Sequence, residues 1–378
     1  MTTIRRLAGH ALVLSAVAAA TAGAQGIGGI LPTAGGEPPT RAGTRGANFL
    51  HILVGARANA MGGAVGSNVT GSTAWFYNPA GAATIESFSL AAGRQNLYGD
   101  LGLKQTYFAV SFPGAGGAFG IAVNSLASGD IALTSETAPY GDPTLGQFFQ
   151  WSSTAASAGY ARRLTDRLDV GGSVKFVSEG LPQIKTTWVS GDVGTQFRTG
   201  LFGLVLGGSL MSVGTASHSD GTGLERGVST NDVSRENTRF KLYTRPTDLP
   251  TAFRFSAGDD LLGSAESLFG RGSGIQTVYG EIDVTDAVDG PAQLALGVEY
   301  GFKNTLFVRA GHRFYGDDRA PGSGSYQGSG INKAAYGTSL GFGLRLPVNK
   351  HPFRFDYSFT ALGDLNNIQV FSLEFGGK

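Results

Sequence analysis

Alternation of apolar and polar residues in the second half of the chain constrains its fold more than any other feature. Segment 353–359 reads Phe-Arg-Phe-Asp-Tyr-Ser-Phe, and segments 294–300 and 340–346 repeat this period of two. Side chains on a strand point alternately to opposite faces, so each segment has one apolar face and one polar or charged face. A soluble β-sandwich also alternates, but many strands of about ten residues favour a barrel with its apolar face in lipid.

The same pattern predicts a fold class and a sidedness. We expect an all-β transmembrane antiparallel β-barrel of about 14 strands. Tight connections largely alternate with long polar loops near 128–146, 214–249 and 316–334, as between the periplasmic turns and external loops of such barrels. The exception is 260–274, a long connection on the periplasmic side that is expected to carry a small helix. The predicted strands lie near 85–96, 103–113, 116–127, 147–163, 166–179, 184–198, 201–213, 250–259, 275–286, 291–302, 304–315, 335–347, 351–361 and 367–376.

The first 24 residues are typical of a signal peptide. Arg5 and Arg6 precede an apolar run at 11–20, and Ala22-Gly23-Ala24 matches a cleavage site, so the mature chain is expected to begin at Gln25. The apolar run is too short to span a bilayer comfortably as a retained anchor. We therefore predict an exported protein of the outer membrane of a diderm bacterium.

Composition argues against several classes of function. The formal net charge of +1 becomes −1 once Arg5 and Arg6 are removed, so no overall field attracts nucleic acid. The chain has no cysteine, and its five histidines show no metal-ligand spacing. A G-x-S-x-G pattern at 337–341 lies within an alternating strand instead of the strand-to-helix turn that exposes a nucleophile. We expect no enzyme, no cofactor and no metal.

Three regions follow the predicted signal peptide. Residues 25–46 are rich in Gly, Pro and Thr and are interpreted as a flexible periplasmic leader. Residues 47–84 do not alternate and are expected to form a short, partly helical plug, with a helix plausible over 48–61. Residues 85–378 make up the predicted barrel. Sixty of the 378 residues are glycine, well above the usual share of about 7%, which suits a sheet with a crowded interior.

Charged residues fall on the predicted inner face of many strands. Either they pair with one another in a narrow, partly water-filled lumen, or some of them contact a ligand or the plug; the pattern leaves both open. The residues selected as luminal charges are Lys175, Arg254, Glu299, Arg309, Arg345, Arg354, Asp356 and Glu374, and Glu281, Asp283 and Arg313 are expected to face inward too.

Aromatic residues near predicted strand ends suggest the girdles that barrels place at the headgroup level. The candidates for these girdles are Tyr107, Phe148, Phe149, Trp151, Trp188 and Tyr315.

Two motifs before the first predicted strand carry a family resemblance. Segment 54–64 reads Val-Gly-Ala-Arg-Ala-Asn-Ala-Met-Gly-Gly-Ala, and 74–81 reads Ala-Trp-Phe-Tyr-Asn-Pro-Ala-Gly. Together with the C-terminal 355–373 region, they resemble the PorV/PorQ family of outer-membrane proteins, relatives of the FadL-type transporters of hydrophobic compounds. The plug-motif residues are Gly55, Arg57, Met61, Gly62, Gly63, Tyr77, Asn78 and Pro79.

The resemblance implies a 14-stranded barrel with an N-terminal plug. It suggests that Arg57 anchors the plug to a luminal carboxylate, and that Asn78 and Pro79 make the turn that leads into the first strand. PorV/PorQ-type barrels serve type IX secretion by binding cargo or translocon partners, whereas FadL-type barrels pass apolar molecules through a plug and a lateral opening.

Three functions are therefore open. The first expectation is a non-enzymatic component of protein secretion, with secretion proteins or cargo as partners. The alternative is a FadL-like channel for hydrophobic small molecules such as long-chain fatty acids. The third is a structural barrel with neither role, in contact only with outer-membrane lipid.

Overall fold

The computed structural model describes residues 43–134, 138–141, 146–227, 239–264, 266–270, 275–290, 292–315, 337–348, 351–362 and 366–377. The predicted signal peptide and most of the predicted leader lie outside these residues. Fourteen long strands make up the main sheet. They are β1 Ser89–Leu97, β2 Leu103–Gly114, β3 Gly117–Ala127, β4 Ser152–Thr165, β5 Leu168–Leu181, β6 Ile184–Arg198, β7 Val205–Gly214, β8 Ala252–Leu262, β9 Gln276–Ala287, β10 Gln293–Phe302, β11 Leu306–Tyr315, β12 Thr338–Val348, β13 His351–Ala361 and β14 Asn367–Gly376.

The sheet closes on itself. Each strand pairs antiparallel with its neighbours in sequence, and β1 pairs with β14 in the register Ser89↔Gly376 to Asn96↔Gln369. Closure leaves no long strand of the sheet with a free edge, which is required of a β-structure in lipid. The predicted all-β barrel of 14 antiparallel strands is confirmed.

The two ends of the barrel differ. One end, called the long-loop end, carries the long connections between β3 and β4, between β7 and β8 and between β11 and β12. The opposite, tight-turn end carries turns such as 115–116 and 303–305. Residues 263–275 form a long connection at the tight-turn end, as expected, but their described residues form turns and not the small helix that was predicted.

Several short strands lie at the long-loop end. Ser219–Asp220 extends the sheet beside β6, while Ile131–Ala132 pairs with Phe148–Phe149 and Glu225–Gly227 pairs with Arg239–Lys241. Short 3-10 helices at this end are Gly99–Leu101 and Thr222–Leu224.

Outward and inward faces alternate as the sequence pattern requires. On β5, Val174 and Phe176 are 64% and 53% exposed, whereas Lys175 between them is 7% exposed. On β13, Phe359 is exposed and Asp356 is buried. Arg94, in the long-loop half of β1, is an exposed charge among these outward-facing side chains. The exterior is therefore mainly apolar and the interior polar, which is the arrangement of a membrane barrel.

For two of the aromatic residues, the predicted position in a girdle is wrong. Tyr107 and Trp188 are both buried and point into the barrel. Trp188 Nε1 donates to Thr247 O at 2.7 Å, and the Tyr107 ring meets Phe76 edge-on with centroids 5.6 Å apart. The Trp188 N–H and the Tyr107 ring meet partners on the inner side of the barrel wall, so strand position alone misassigned both residues.

The N-terminal segment, residues 43–88, lies inside the barrel. Its elements are the 3-10 helices Asn48–His51, Gly71–Phe76 and Pro79–Thr84 and the α-helix Ala56–Ala60. The helix expected over 48–61 is interrupted because Gly55 has φ of +91°, a left-handed conformation that favours glycine. None of the described helices is long and apolar enough to cross a membrane.

Candidate ligand-binding cavity

The N-terminal segment runs the length of the barrel interior. It starts at the long-loop end, where Gly46 N donates to Asp248 O at 3.0 Å and Ala47 N donates to a Glu179 carboxylate oxygen at 3.3 Å. It finishes at the tight-turn end, where Glu86 N donates to Gly377 O at 3.0 Å before β1 begins. A chain threaded in this way fills much of the lumen.

An apolar cluster closes the long-loop end around Phe49. Phe49 packs with inward side chains from several strands, and the rim carries an ion pair between Arg45 and Asp248. His51 Nε2 lies 3.0 Å from Asp289 Oδ1 on the β9–β10 connection. The cluster comprises Ala47, Phe49, Ala56, Leu97, Leu126, Ala155, Val177, Trp188, Leu249, Leu362, Ile368 and Val370.

Glycines on the barrel wall let the segment approach the strand backbones. A Cβ added at Gly311 would lie 2.1 Å from Met61 C, and one added at Gly171 would lie 2.5 Å from Pro79 C. Such distances are far inside van der Waals contact, so a side chain at either position would displace the segment. The wall glycines in this close contact are Gly120, Gly159, Gly171, Gly194, Gly207, Gly297, Gly311 and Gly341.

The turn at residues 62–67 is held by four inward-facing side chains. Arg313 Nε donates to Gly62 O at 3.0 Å, and Arg254 Nη1 donates to Gly63 O at 3.3 Å. The backbone N–H of Ser67 donates to Glu281 at 2.7 Å. Gly66 N donates to Asp283 at 3.3 Å, and Asp283 also faces Arg254 at 3.5 Å. Gly62 and Gly63 both have positive φ, which the sharp turn requires.

Arg57 enters an ion-pair network in the tight-turn half. Its Nε lies 3.0 Å from Glu299 Oε2, which also accepts from Arg309 Nε at 2.5 Å. Arg57 stays charged inside the barrel, because a guanidinium is not deprotonated in proteins.

The network continues across the neighbouring strands. Arg309 Nη1 lies 2.6 Å from Asp356, and Arg354 lies 2.9 Å from Asp356 and 2.5 Å from Glu374. Arg345 is more peripheral: it donates to Asn304 Oδ1 at 2.9 Å and lies over the Phe307 ring. Most of the selected luminal charges thus come together in one place.

Lys175 belongs to a separate buried cluster in the long-loop half. Its Nζ lies 3.0 Å from Asp192, which also accepts from Ser212 N at 2.7 Å and Ser173 Oγ at 2.9 Å. Ser212 has φ of +57° at a register shift between β6 and β7. Asp192 therefore supports both the cation and the bulge.

Asn78 joins distant parts of the segment to the wall. Its Nδ2 donates to Gly66 O and to Thr195 O, each at 2.9 Å, and its Oδ1 accepts from Ala80 N at 3.2 Å. With Pro79 in its first turn, Asn78 caps the 3-10 helix that leads toward β1.

Tyr77 fastens one part of the segment to another. Its hydroxyl donates to Val54 O and accepts from Val54 N, both at 2.6 Å. Its own carbonyl accepts from Ser209 Oγ on β7 at 2.9 Å, and Arg254 lies over its ring at 5.3 Å.

A cavity of about 80 Å³ lies in the long-loop half, beneath residues 50–54. That volume holds several water molecules. The segment supplies an aromatic side formed by Trp75, Phe76 and Tyr77. The facing strands supply Lys175, Arg254, Asp283 and Arg313 among other residues, so the lining joins an aromatic surface to a group of mainly cationic side chains. A molecule with an apolar body and an anionic end matches this lining.

A second, smaller cavity of about 20 Å³ lies toward the tight-turn end. Its lining includes Arg57, Thr73 and Glu374. Val54 and Tyr77 line both cavities. The two spaces are thus separated where the Tyr77 hydroxyl meets the Val54 backbone.

Sequence reasoning did not find the cavity or Asp192. The aromatic cluster at 75–77 was visible as a motif, but its role as one side of a cavity depends on how the segment folds back. Among the described residues, no group of three or more His, Asp or Glu side chains is placed to hold a metal ion.

Comparison with known proteins finds a likeness in structure but none in sequence. No protein-family model matches the chain, and no curated protein matches it in sequence. The toluene transporter TodX of Pseudomonas putida superposes with a TM-score of 0.51 at 12% identity, covering 85% of this chain and 96% of TodX. The chain therefore shares the barrel fold of TodX. The toluene transporter TbuX of Ralstonia pickettii aligns with a TM-score of 0.49 at 12% identity, covering 85% and 97%.

Proposed function

We propose that this chain is a channel of the outer membrane that admits hydrophobic small molecules carrying an acidic end, with long-chain fatty acids as the model substrate. The observation that carries the proposal is the interior cavity, which sets an aromatic surface against Lys175, Arg254 and Arg313. Binding sites for small molecules combine an apolar lining with a few placed polar groups in this way.

The fold supports the same direction. TodX, which shares the barrel architecture, is a toluene transporter. Toluene is uncharged, whereas three cationic side chains line the cavity here. Asp192 compensates Lys175 and Asp283 compensates Arg254, while Arg313 donates to the neutral carbonyl of Gly62. The lining therefore favours an acid over an uncharged aromatic hydrocarbon.

Within this proposal, residues 47–84 act as the plug. Arg57 anchors it through Glu299, and the wall glycines and the carboxylates of Glu281 and Asp283 hold it in place. The leader and the signal peptide keep their sequence-based assignments, with the mature chain in the outer membrane.

The secretion role expected first rests on the motif resemblance alone. The cavity and the TodX likeness favour the channel, so the alternative becomes the main proposal. Affinity purification from detergent-solubilised outer membranes separates the two roles. Stoichiometric secretion proteins or cargo would support secretion, and co-purified lipid acids without protein partners would support the channel.

Uptake by whole cells tests the proposal. The chain is expressed in a diderm host lacking its own long-chain fatty-acid transporter, and uptake of radiolabelled hexadecanoate is compared with that of radiolabelled toluene. We expect hexadecanoate uptake that depends on the protein and saturates with concentration. Uptake equal to that of cells producing the same amount of an unrelated folded barrel would contradict the proposal.

A further inference from the structure

The two interior cavities border the same two residues of the segment. The first cavity lies in the long-loop half and the second toward the tight-turn end, and Val54 and Tyr77 border both. A molecule that crosses the segment by way of the cavities has to pass this point.

One hydroxyl group makes the contact. Tyr77 Oη donates to Val54 O and accepts from Val54 N, both at 2.6 Å, so it satisfies both backbone groups of one residue. We call this pair of hydrogen bonds the Tyr77–Val54 clasp. Gly55 follows Val54 with φ of +91°, so the backbone turns sharply directly after the clasp.

The rest of the segment is held much more firmly than the clasp. Arg57 is ion-paired with Glu299, Ser67 bonds Glu281, and Asn78 bonds Thr195. Met61 and Pro79 lie in close contact with glycines of the barrel wall. Expelling the segment would break all these interactions, whereas rotating the Tyr77 side chain breaks two hydrogen bonds and the contact of its buried ring with Arg254.

We propose that the Tyr77–Val54 clasp is the gate between the two cavities, and that it opens by rotation of the Tyr77 side chain while the segment stays in place. The gate rests on the proposed channel function, because it controls passage of the same acidic hydrophobic molecules. Tyr77 acts here as a positioning residue that sets the rate at which these molecules pass. The cations of the first cavity set the affinity of the protein for them.

Tyr77→Phe is the principal test because it removes the hydroxyl and keeps the ring. The matched control is Tyr160→Phe, which removes a hydroxyl that donates to Ala115 O at 2.7 Å in the tight turn between β2 and β3, away from both cavities. We expect Tyr77→Phe to raise the rate of hexadecanoate uptake roughly tenfold to a hundredfold, because each of the two lost hydrogen bonds favours the open state by about threefold to tenfold. The Kd for hexadecanoate should stay within about twofold, since the cations are untouched.

Rate and affinity together separate a gate from a purely structural residue. A Tyr77→Phe rate equal to that of Tyr160→Phe would overturn the gate, and so would a change in Kd without a change in rate. Heat-dependent gel mobility establishes that each variant is folded before it is assayed.

Cysteine substitution gives a second test, since the chain has no cysteine. Tyr77→Cys should raise the ionic conductance of single channels in planar bilayers, and attaching a bulky benzyl methanethiosulfonate should lower it again, reversibly with reductant. Conductance unaffected by both the substitution and the label would overturn the gate. This readout uses ions alone, so failed hexadecanoate uptake with a label-sensitive conductance would reject the substrate and retain the gate.

Discussion

Arg57 and Glu299 are separated by 242 positions in the sequence, yet Arg57 Nε lies 3.0 Å from Glu299 Oε2 inside the barrel. The same carboxylate receives Arg309 Nε at 2.5 Å. One acidic side chain on β10 thus compensates a cation from the N-terminal segment and a cation from β11. Insertion of the segment and neutralisation of the wall are coupled through this carboxylate.

Glu299→Gln should destabilise the folded barrel by about 3–5 kcal/mol, because it leaves buried arginines without their carboxylate. The midpoint of thermal unfolding, read from the gel-mobility shift on heating, should fall accordingly. The control is Glu225→Gln, which disrupts an exposed pair with Arg239 and should change stability by about 0–1 kcal/mol. Equal midpoints for the two variants would contradict the coupling.

Adjacent glycines on β5 offer a matched test of the segment's close contact with the wall. An added Cβ at Gly171 meets Pro79 at 2.5 Å, whereas one at Gly172 meets nothing nearer than Asp192 O at an ordinary 3.4 Å. Gly171→Ala should destabilise by about 1–3 kcal/mol through overpacking. Gly172→Ala should be close to neutral, and trypsin digestion of folded protein should cleave the N-terminal segment faster only in Gly171→Ala. A larger loss of stability and faster cleavage in Gly172→Ala than in Gly171→Ala would exclude the close contact between Gly171 and Pro79.

The membrane-facing exterior can be tested with a single charge. Val174→Arg introduces a cation in the middle of β5, where the side chain faces outward, and should destabilise by about 2–4 kcal/mol. Leu101→Arg, at a turn of the long-loop end, should cost only about 0–1 kcal/mol near the interface. Urea titrations of protein folded into vesicles measure both. Similar costs would mean that Val174 does not face acyl chains.

Arg313→Gln tests whether the cavity selects an acid. The Arg313 guanidinium lines the cavity and donates a hydrogen bond to Gly62 O. A glutamine side-chain amide can also donate a hydrogen bond to this carbonyl. Wild type should bind hexadecanoate more tightly than hexadecanol, and Arg313→Gln should reduce this preference by roughly tenfold to a hundredfold, because hydrogen bonds to charged groups contribute about 1.5–3 kcal/mol.

Intrinsic tryptophan fluorescence measures this binding, because Trp75 borders the cavity. Arg162→Gln, at an exposed site near the tight-turn end of β4, is the control and should leave the preference unchanged. If Arg313→Gln keeps the full preference for hexadecanoate over hexadecanol, the cavity does not recognise the carboxylate through Arg313.

The strands and their facing were predictable from sequence because a shift of one residue would place charges such as Arg354 and Asp356 in lipid. That penalty acts on each strand separately and leaves a local pattern. The excess of glycine was visible too, but its specific use could not be seen. Gly171 touches Pro79 and Gly311 touches Met61 only because the segment folds back against the wall.

Other features depend on distant partners and left no local signal. Tyr107 and Trp188 resembled girdle residues, yet interior partners such as Phe76 and Thr247 hold them inside. Glu299 was selected as an inward charge and Arg57 as an anchor, but nothing in the sequence joined the two. The cavity could not be predicted either, since Trp75 and Arg313 come together only through the fold of the segment.

Diffraction from crystals grown with a fatty acid brominated at its terminal carbon tests the central claim most directly. The account predicts an anomalous bromine peak inside the barrel, with the carboxylate density in the cavity beside Arg313 or Lys175. Bromine peaks found only on the outer surface, among side chains such as Val174 and Phe176, would contradict the proposed channel.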